Sequence, residues 1–239
     1  MMATTKHYSK VTHCIFDNDG TLMDTERLYT QAVQNLLTPY GKIYSPELKM
    51  RCMGMSSHLA SQLVVNELKL PLKPEEYLVK FDAEVHRLMC NVELLPGVKE
   101  LLLHLFEHRV DMAVATSASR KTFNLKARNH CDLLAAFRHF VCGDDPELKR
   151  GKPEPDIFLL AASRFKPAPR PECCLVFEDS PLGMRGGIAA GMQVVMIPDD
   201  IVPPELTKEA TLVLRSMAEF EPELFGLPPY DNVSKFTFG

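Results

Sequence analysis

The chain has 239 residues, 46% of them hydrophobic, which is enough to bury a sizeable core as one large domain or two linked ones. Its 27 Lys and Arg residues against 31 Asp and Glu give a net charge of -4, so no global basic field favours nucleic acid or an anionic membrane surface. We expect a cytoplasmic protein, because its first residues lack the apolar core of a secretory signal and no apolar run is long enough to cross a bilayer. Its seven cysteines are odd in number, as expected of reduced thiols.

The first predicted element is a short strand that ends in two carboxylates. Residues 11–16 are mostly apolar and rich in β-branched and aromatic side chains, which predicts a buried strand. Asp17 and Asp19 follow, and Gly20 closes the segment. Because ligands bind at the carboxyl ends of strands in α/β proteins, both carboxylates can face one site. Taken alone, the same residues equally fit a polar turn or part of a calcium loop.

An all-helical segment follows this strand. Between residues 24 and 92 the strand patterns disappear and the apolar residues recur with helical period. The predicted helices are Glu26–Leu37, one that starts at Ser45-Pro46-Glu47, Ser57–Leu68 and Pro74–Met89. We call residues 24–92 the helical insertion. Its turn at Gly54 is a candidate substrate contact, although the flanking methionines fit the insertion's own core equally well.

Strands and helices alternate in the remainder of the chain. Strands are predicted at Val110–Ala115, His139–Cys142, Cys174–Phe177, Val194–Ile197 and Thr211–Leu214. This alternation implies crossover connections, and therefore an α/β, Rossmann-like core with a mainly parallel sheet and helices on both faces. We predict that residues 1–23 and 93–239 form this core, and that the helical insertion is a cap upon it.

Two later positions in the chain offer groups that can bind phosphate, the end of the apolar run from Val110 and Lys152. The apolar run from Val110 ends in the hydroxyls of Thr116 and Ser117. Further on, Lys152 precedes a proline, which biases it to an extended conformation. Asp156 then stands where it is expected to cap the apolar helix that starts at Ile157.

A third segment ends in an acidic pair. Glu178 and Asp179 close the apolar run that begins at Cys174, and Ser180 and Pro181 have the residue types of a helix N-cap and first helical position. Simple helix capping accounts for these residues as well as metal binding does, and the two roles are compatible.

In this order and spacing, the four motifs resemble the haloacid dehalogenase-type phosphatase superfamily. The resemblance implies that Asp17 is the nucleophile and Asp19 the general acid and base, while Thr116 and Lys152 hold the phosphate. A carboxylate is a weak nucleophile in water, but it can attack phosphorus once Mg²⁺ neutralises the phosphate oxygens, and an aspartyl-phosphate is then formed.

The same resemblance implies a magnesium site and further substrate contacts. Mg²⁺ prefers oxygen ligands, and the expected set is Asp17, the backbone carbonyl of Asp19 and Asp179, with Glu178 bound directly or through water. The expected substrate-binding positions are the backbone of Asn18, together with Ser117 and Gly54.

Longer segments resemble the branch of the superfamily that hydrolyses pseudouridine 5′-phosphate. They are Asp24–Tyr29, Gly143–Glu147, Gly151–Phe158 and Glu221–Pro228. The resemblance implies a Mg²⁺-dependent phosphomonoesterase that acts on this or a related nucleotide or sugar phosphate. We expect its partner to be a small phosphorylated metabolite, and the enzyme to be a monomer or weak homodimer.

Two other functions remain as alternatives. The chain also resembles phosphosugar mutases of the β-phosphoglucomutase type, but the position of their cationic phosphate clamp falls near Ser57, without Arg or Lys. A binding protein that lost the reaction is expected to carry damage in at least one motif, and all four motifs are intact.

Overall fold

A computed structural model describes residues 8–89 and 91–230. Its six named strands are β1 (His13–Phe16), β2 (Asp111–Thr116), β3 (His139–Cys142), β4 (Cys174–Glu178), β5 (Gln193–Met196) and β6 (Leu212–Val213). They form one sheet in the order β3-β2-β1-β4-β5-β6, and every neighbouring pair is parallel. The predicted strands are therefore confirmed, although β6 has only two residues.

Helices occupy both the insertion and the core. The helices of the insertion are α1 (Glu26–Leu37), α2 (Pro46–Cys52), α3 (Ser57–Leu68) and α4 (Pro74–Leu88). Those of the core are α5 (Val98–Glu107), α6 (Arg120–Ala127), α7 (Cys131–Leu134), α8 (Asp156–Ser163) and α9 (Pro181–Ala189). No helix among the described residues is both long and apolar enough to span a membrane.

Alternate residues of β1 pack on opposite faces of the sheet, as the two-residue period of a strand requires. Phe16 belongs to one apolar cluster, together with Leu101 and Leu105 of α5. Ile15 belongs to a second cluster, together with Ile157 and Phe158 of α8. The sheet is thus covered by helices on both faces, which confirms the predicted α/β fold.

Strand register brings the polar strand ends together. Phe16 of β1 lies beside Val114 of β2 and Phe177 of β4. The next residue, Asp17, donates its backbone N–H to the carbonyl of Phe177 at 2.9 Å. The carboxyl ends of β1, β2 and β4 therefore meet at the centre of one sheet edge, where parallel sheets bind their ligands.

The helical insertion contacts this edge at Gly54. The chain leaves and re-enters the core along adjacent paths, with Asp24 donating its backbone N–H to Glu93 at 3.0 Å. The Ser117 hydroxyl donates to the Gly54 carbonyl at 3.0 Å, and a Cβ on Gly54 would lie 2.5 Å from the Ser180 hydroxyl. Gly54 also has a φ of +77°, so glycine suits both its backbone conformation and its close approach to the core.

One local prediction is wrong. Asp156 is the first residue of α8 and does not cap it; the N-cap is Pro155, which makes no side-chain capping bond. The Asp156 carboxylate instead accepts a hydrogen bond from the Arg150 guanidinium at 3.0 Å. The helix begins one residue earlier than predicted, so the Asp156 carboxylate lies in its first turn, where a negative charge favours the helix N-terminus.

Candidate active site

Lys152 joins the ends of β1 and β4. Its ammonium donates to the Asp17 carboxylate and, at 2.5 Å, to Oε1 of Glu178. All three residues are buried. Burial alone disfavours the charged lysine, but the two carboxylates outweigh it and raise the pKa of Lys152. The lysine therefore remains a cation inside the protein.

A third carboxylate, that of Asp179, lies beside the two that contact Lys152. Oxygens of Asp17, Glu178 and Asp179 all lie within 4.8 Å of one another. Burial, opposed by Lys152 and reinforced by the Glu178 carboxylate, raises the pKa of Asp17 to about 8. Burial and the Glu178 carboxylate also raise the pKa of Asp179 well above its usual range. The cluster has an excess of negative charge, and its donor set of carboxylate oxygens fits a hard divalent cation such as Mg²⁺.

Glu178 is held in place by the start of α9. Its Oε2 accepts from the Ser180 hydroxyl at 2.9 Å and from the backbone N–H groups of Asp179 and Ser180 at 3.2 Å. A Cβ on Gly183 would lie 1.9 Å from the Glu178 carboxylate, so only glycine permits the first turn of α9 to approach this closely. Both Glu178 oxygens are thereby occupied by hydrogen-bond donors.

Asp19 is bound to a different lysine, Lys126 of α6. The Lys126 ammonium lies 2.5 Å from Oδ1 and 2.6 Å from Oδ2 of Asp19, and 3.2 Å from the Tyr29 hydroxyl. Burial alone would raise the pKa of Asp19, but Lys126 outweighs this effect and the pKa is lowered. The Thr116 hydroxyl is 3.4 Å from Oδ2 of the same carboxylate.

Sequence reasoning missed Lys126. The signal was present, because Phe123, Lys126 and Ala127 have the spacing of one helix face, and all three are buried in α6. A lysine on an otherwise apolar helix face requires a buried anionic partner. Its partner is 107 residues distant in sequence, which hides the pairing from a local pattern.

The predicted site residues fall into two groups. Asp17, Asp19, Gly54, Thr116, Ser117 and Asp179 line one cavity between the core and the helical insertion. Asn18, Lys152 and Glu178 lie outside its lining. The Asn18 side chain is completely buried, and its backbone carbonyl accepts from Leu22 and Met23 at 3.0 Å.

The far side of the cavity is aromatic. Its wall within the helical insertion includes Tyr29, Tyr44, Tyr77 and Phe81. The Tyr77 hydroxyl is buried and has no hydrogen-bond partner among the described residues. Such an orphaned hydroxyl costs free energy unless a ligand or water engages it.

Lys49 is the only Lys or Arg that lines the cavity within residues 8–89 and 91–230. Its ammonium lies 2.8 Å from Asp199, in the loop after β5, and 3.7 Å from Glu26. Both contacts neutralise it. The lining therefore offers no uncommitted lysine or arginine from the described residues to a second anionic group.

Comparisons with known proteins agree with the fold. A haloacid dehalogenase-like hydrolase family model matches residues 14–197. The probable pseudouridine-5′-phosphatase of Drosophila melanogaster is 48% identical over 93% of this chain and 97% of its own. The mitochondrial (DL)-glycerol-3-phosphatase 1 of Arabidopsis thaliana is 38% identical over 93% of this chain and 76% of its own.

A solved structure shows the same fold. β-Phosphoglucomutase from Clostridium difficile superposes with a TM-score of 0.75, at 22% identity, over 89% of this chain and 94% of its own. The chain belongs to the haloacid dehalogenase-like hydrolase family.

Proposed function

We propose that the protein is a Mg²⁺-dependent phosphomonoesterase that forms an aspartyl-phosphate on Asp17. The observation that carries the proposal is the buried cluster of Asp17, Glu178 and Asp179 around Lys152, at the sheet edge beside Asp19. The phosphatase names of the similar proteins support the same activity.

The first half of the reaction transfers the phosphoryl group to the protein. A carboxylate oxygen of Asp17 attacks phosphorus, and the bond from phosphorus to the leaving oxygen breaks. Lys126 favours the ionised form of Asp19, so Asp19 first has to take up a proton in the enzyme–substrate complex. It then gives this proton to the leaving oxygen, which departs as an alcohol. The Thr116 hydroxyl lines the same cavity and donates a hydrogen bond to a nonbridging phosphate oxygen.

The second half regenerates the enzyme. Asp19, now ionised, takes a proton from water, and the resulting hydroxide attacks phosphorus. The bond between phosphorus and Asp17 breaks, and inorganic phosphate leaves. Lys152 remains bound to Asp17 and Glu178 and lies outside the cavity lining, so its role is to orient the nucleophile and balance the charge of the site.

Asp17, Asp179 and the backbone carbonyl of Asp19 are the residues that would hold Mg²⁺. The ion would supply charge neutralisation at the phosphate oxygens. Glu178 acts through water or by orienting its neighbours, because its two oxygens already accept hydrogen bonds from Lys152, Asp179 and Ser180.

The helical insertion, residues 24–92, is a cap that encloses the reaction, and residues 1–23 and 93–239 are the core. Support comes from the adjacent chain crossings at Asp24 and Glu93 and from the contact of Gly54 with Ser117. Such enclosure keeps bulk water from the reacting groups and lets the insertion select the substrate.

The proposed substrate class is a nucleotide-like 5′-monophosphate, with pseudouridine 5′-phosphate as the first candidate. The aromatic wall of Tyr29, Tyr44, Tyr77 and Phe81 suits a planar ring better than a glycerol chain. The name of the Drosophila relative, at 48% identity, points to the same substrate.

The cavity favours hydrolysis over a mutase reaction. A phosphosugar mutase passes through a bisphosphate and has to bind a second phosphate away from the nucleophile. Lys49 is the cation nearest to that role among the described lining residues, and it is already paired with Glu26 and Asp199.

We also place the reaction in the cytoplasm. The described cysteines are free thiols, and Cys14, Cys142 and Cys174 are buried in the core. Thiols persist in this state in a reducing compartment.

The test is phosphate release with Mg²⁺ from pseudouridine 5′-phosphate, common nucleoside monophosphates, glycerol 3-phosphate and sugar phosphates. We expect kcat/KM for pseudouridine 5′-phosphate to exceed that for the others by about tenfold, or about 1.4 kcal/mol of transition-state binding. Asp17→Asn, which keeps the size of the side chain, is the control and should abolish turnover. Equal activity of this variant would contradict the proposal.

A further inference from the structure

Lys126 is a buried ammonium placed at a junction of three elements. Its side chain is 0% exposed and lies within α6, on the core side of the cavity. Both Asp19 oxygens contact its ammonium, at 2.5 and 2.6 Å. The third contact, at 3.2 Å, is the hydroxyl of Tyr29, which belongs to α1 of the helical insertion.

Structural stabilisation alone is a poor explanation for this lysine. Removing an ammonium from water is energetically costly, and a buried ion pair is often no better for stability than apolar side chains of the same volume. Phe123 and Ala127, on the same face of α6, are both apolar and buried. The pair therefore requires a functional explanation.

The geometry supplies one. Asp19 has to direct an oxygen at the leaving oxygen of the substrate, and a carboxylate on a loop has two freely rotating bonds. Lys126 contacts both oxygens of Asp19, so it restricts their orientation. The Lys126 ammonium donates its third hydrogen bond to the Tyr29 hydroxyl, so the position of the insertion affects how the ammonium is held.

We propose that Lys126 is a positioning residue for Asp19, and that the Tyr29 hydroxyl makes this positioning depend on the placement of the helical insertion over the core. The inference rests on the proposed role of Asp19 as acid and base. With the insertion in place, Tyr29 fixes the Lys126 ammonium, and Lys126 fixes the carboxylate toward the leaving group.

Substrates with different leaving groups separate this role from a general loss of structure. An alkyl phosphate needs a proton on its leaving oxygen, whereas p-nitrophenolate leaves without one. We expect Lys126→Ala to lower kcat on an alkyl phosphate by about 100-fold, which is the scale of general acid catalysis. The pre-steady-state burst of p-nitrophenolate, which reports the first half-reaction alone, should slow by less than about fivefold, because that leaving group needs no proton from Asp19.

Two further readouts are specific to the ammonium. A primary alkylamine added to Lys126→Ala should restore part of the lost rate, because it can occupy the space of the missing side chain. Tyr29→Phe keeps the ring and removes the hydroxyl, so it should show the same substrate-selective loss at smaller size. Lys121→Ala, on the exposed side of α6, is the matched control and should change neither rate.

A second variant keeps the test decisive if the first one does not fold. If Lys126→Ala does not fold, Lys126→Met takes its place in the same assays, except for amine rescue. Methionine retains the packing of the aliphatic part of the lysine side chain. Equal losses in alkyl phosphate turnover and in the p-nitrophenolate burst, or no loss on the alkyl phosphate, would overturn the proposal.

A crystal structure of Lys126→Met distinguishes this failure from failure of the proposed function. We expect the Asp19 carboxylate to adopt a different orientation from that in the wild type. If the orientation of Asp19 is unchanged in the variant, the positioning role is overturned, whether or not the wild-type protein hydrolyses phosphates. If Asp19 is reoriented in the variant but the wild-type protein is inactive, only the phosphatase proposal is refuted.

Discussion

Single residues define a site whose charges do not balance without a further cation. Asp17, Glu178 and Asp179 are buried together, and Lys152 is the cation in contact with two of them. The raised pKa values of Asp17 and Asp179 express the cost of holding that excess negative charge out of water. A divalent cation would remove this cost, so the protein and the ion are expected to stabilise one another.

One glycine determines how closely α9 approaches this cluster. We expect Gly183→Ala to destabilise the fold by roughly 1–3 kcal/mol, because its Cβ would overlap the Glu178 carboxylate. Mg²⁺ affinity should fall as well, since Glu178 is displaced. Urea unfolding and calorimetric titration measure the two effects. Gly151→Ala, whose Cβ meets nothing within 4 Å, is the control and should unfold like the wild type.

At the scale of elements, the sequence predicts best which segments are helices and which are strands. Helices Glu26–Leu37 and Ser57–Leu68 are predicted to the residue, because their apolar period and polar boundaries lie within one short window. Asp156 shows the limit of this approach, since α8 begins at this residue and not after it. The contact of Lys126 with Asp19 shows a second limit, because only the folded chain brings the two together.

The N-cap of α9 serves both the helix and the site. The Ser180 hydroxyl accepts from the Gly183 N–H at 3.0 Å and donates to Glu178 at 2.9 Å. We predict that Ser180→Ala costs about 1 kcal/mol of stability. It should also weaken Mg²⁺ binding by about tenfold, because Glu178 loses a partner that orients it.

A matched serine separates these two effects. Ser45 caps α2 by accepting from the Leu48 N–H at 3.2 Å, and it lies outside the cavity lining. Ser45→Ala should lose similar stability without any change in Mg²⁺ affinity. If both variants bound Mg²⁺ like the wild type, the link between the α9 cap and the metal site would be wrong.

At the scale of the whole molecule, metal binding and folding are coupled. An ion that binds only the folded state stabilises it by about 2.7 kcal/mol at a concentration of about 100 times Kd. For a chain of this size the corresponding rise in Tm is roughly 5–10 °C. We predict this rise on adding Mg²⁺ to EDTA-treated protein, followed by thermal unfolding.

The control for this shift is Asp179→Asn, which keeps the shape of the side chain and removes one proposed ligand. Its Tm should respond weakly to Mg²⁺, and a potassium salt of equal ionic strength should not reproduce the wild-type rise. A full rise in the variant would mean that the stabilising ion binds elsewhere.

The most direct test of the account is the identity of the phosphorylated residue. Turnover is quenched in acid, the protein is reduced with borohydride, which converts an aspartyl-phosphate to homoserine, and the peptides are analysed by mass spectrometry. The account predicts homoserine at position 17, and none in Asp17→Asn. Homoserine at another aspartate, or its absence during rapid turnover, would contradict the central claim that Asp17 accepts the phosphoryl group.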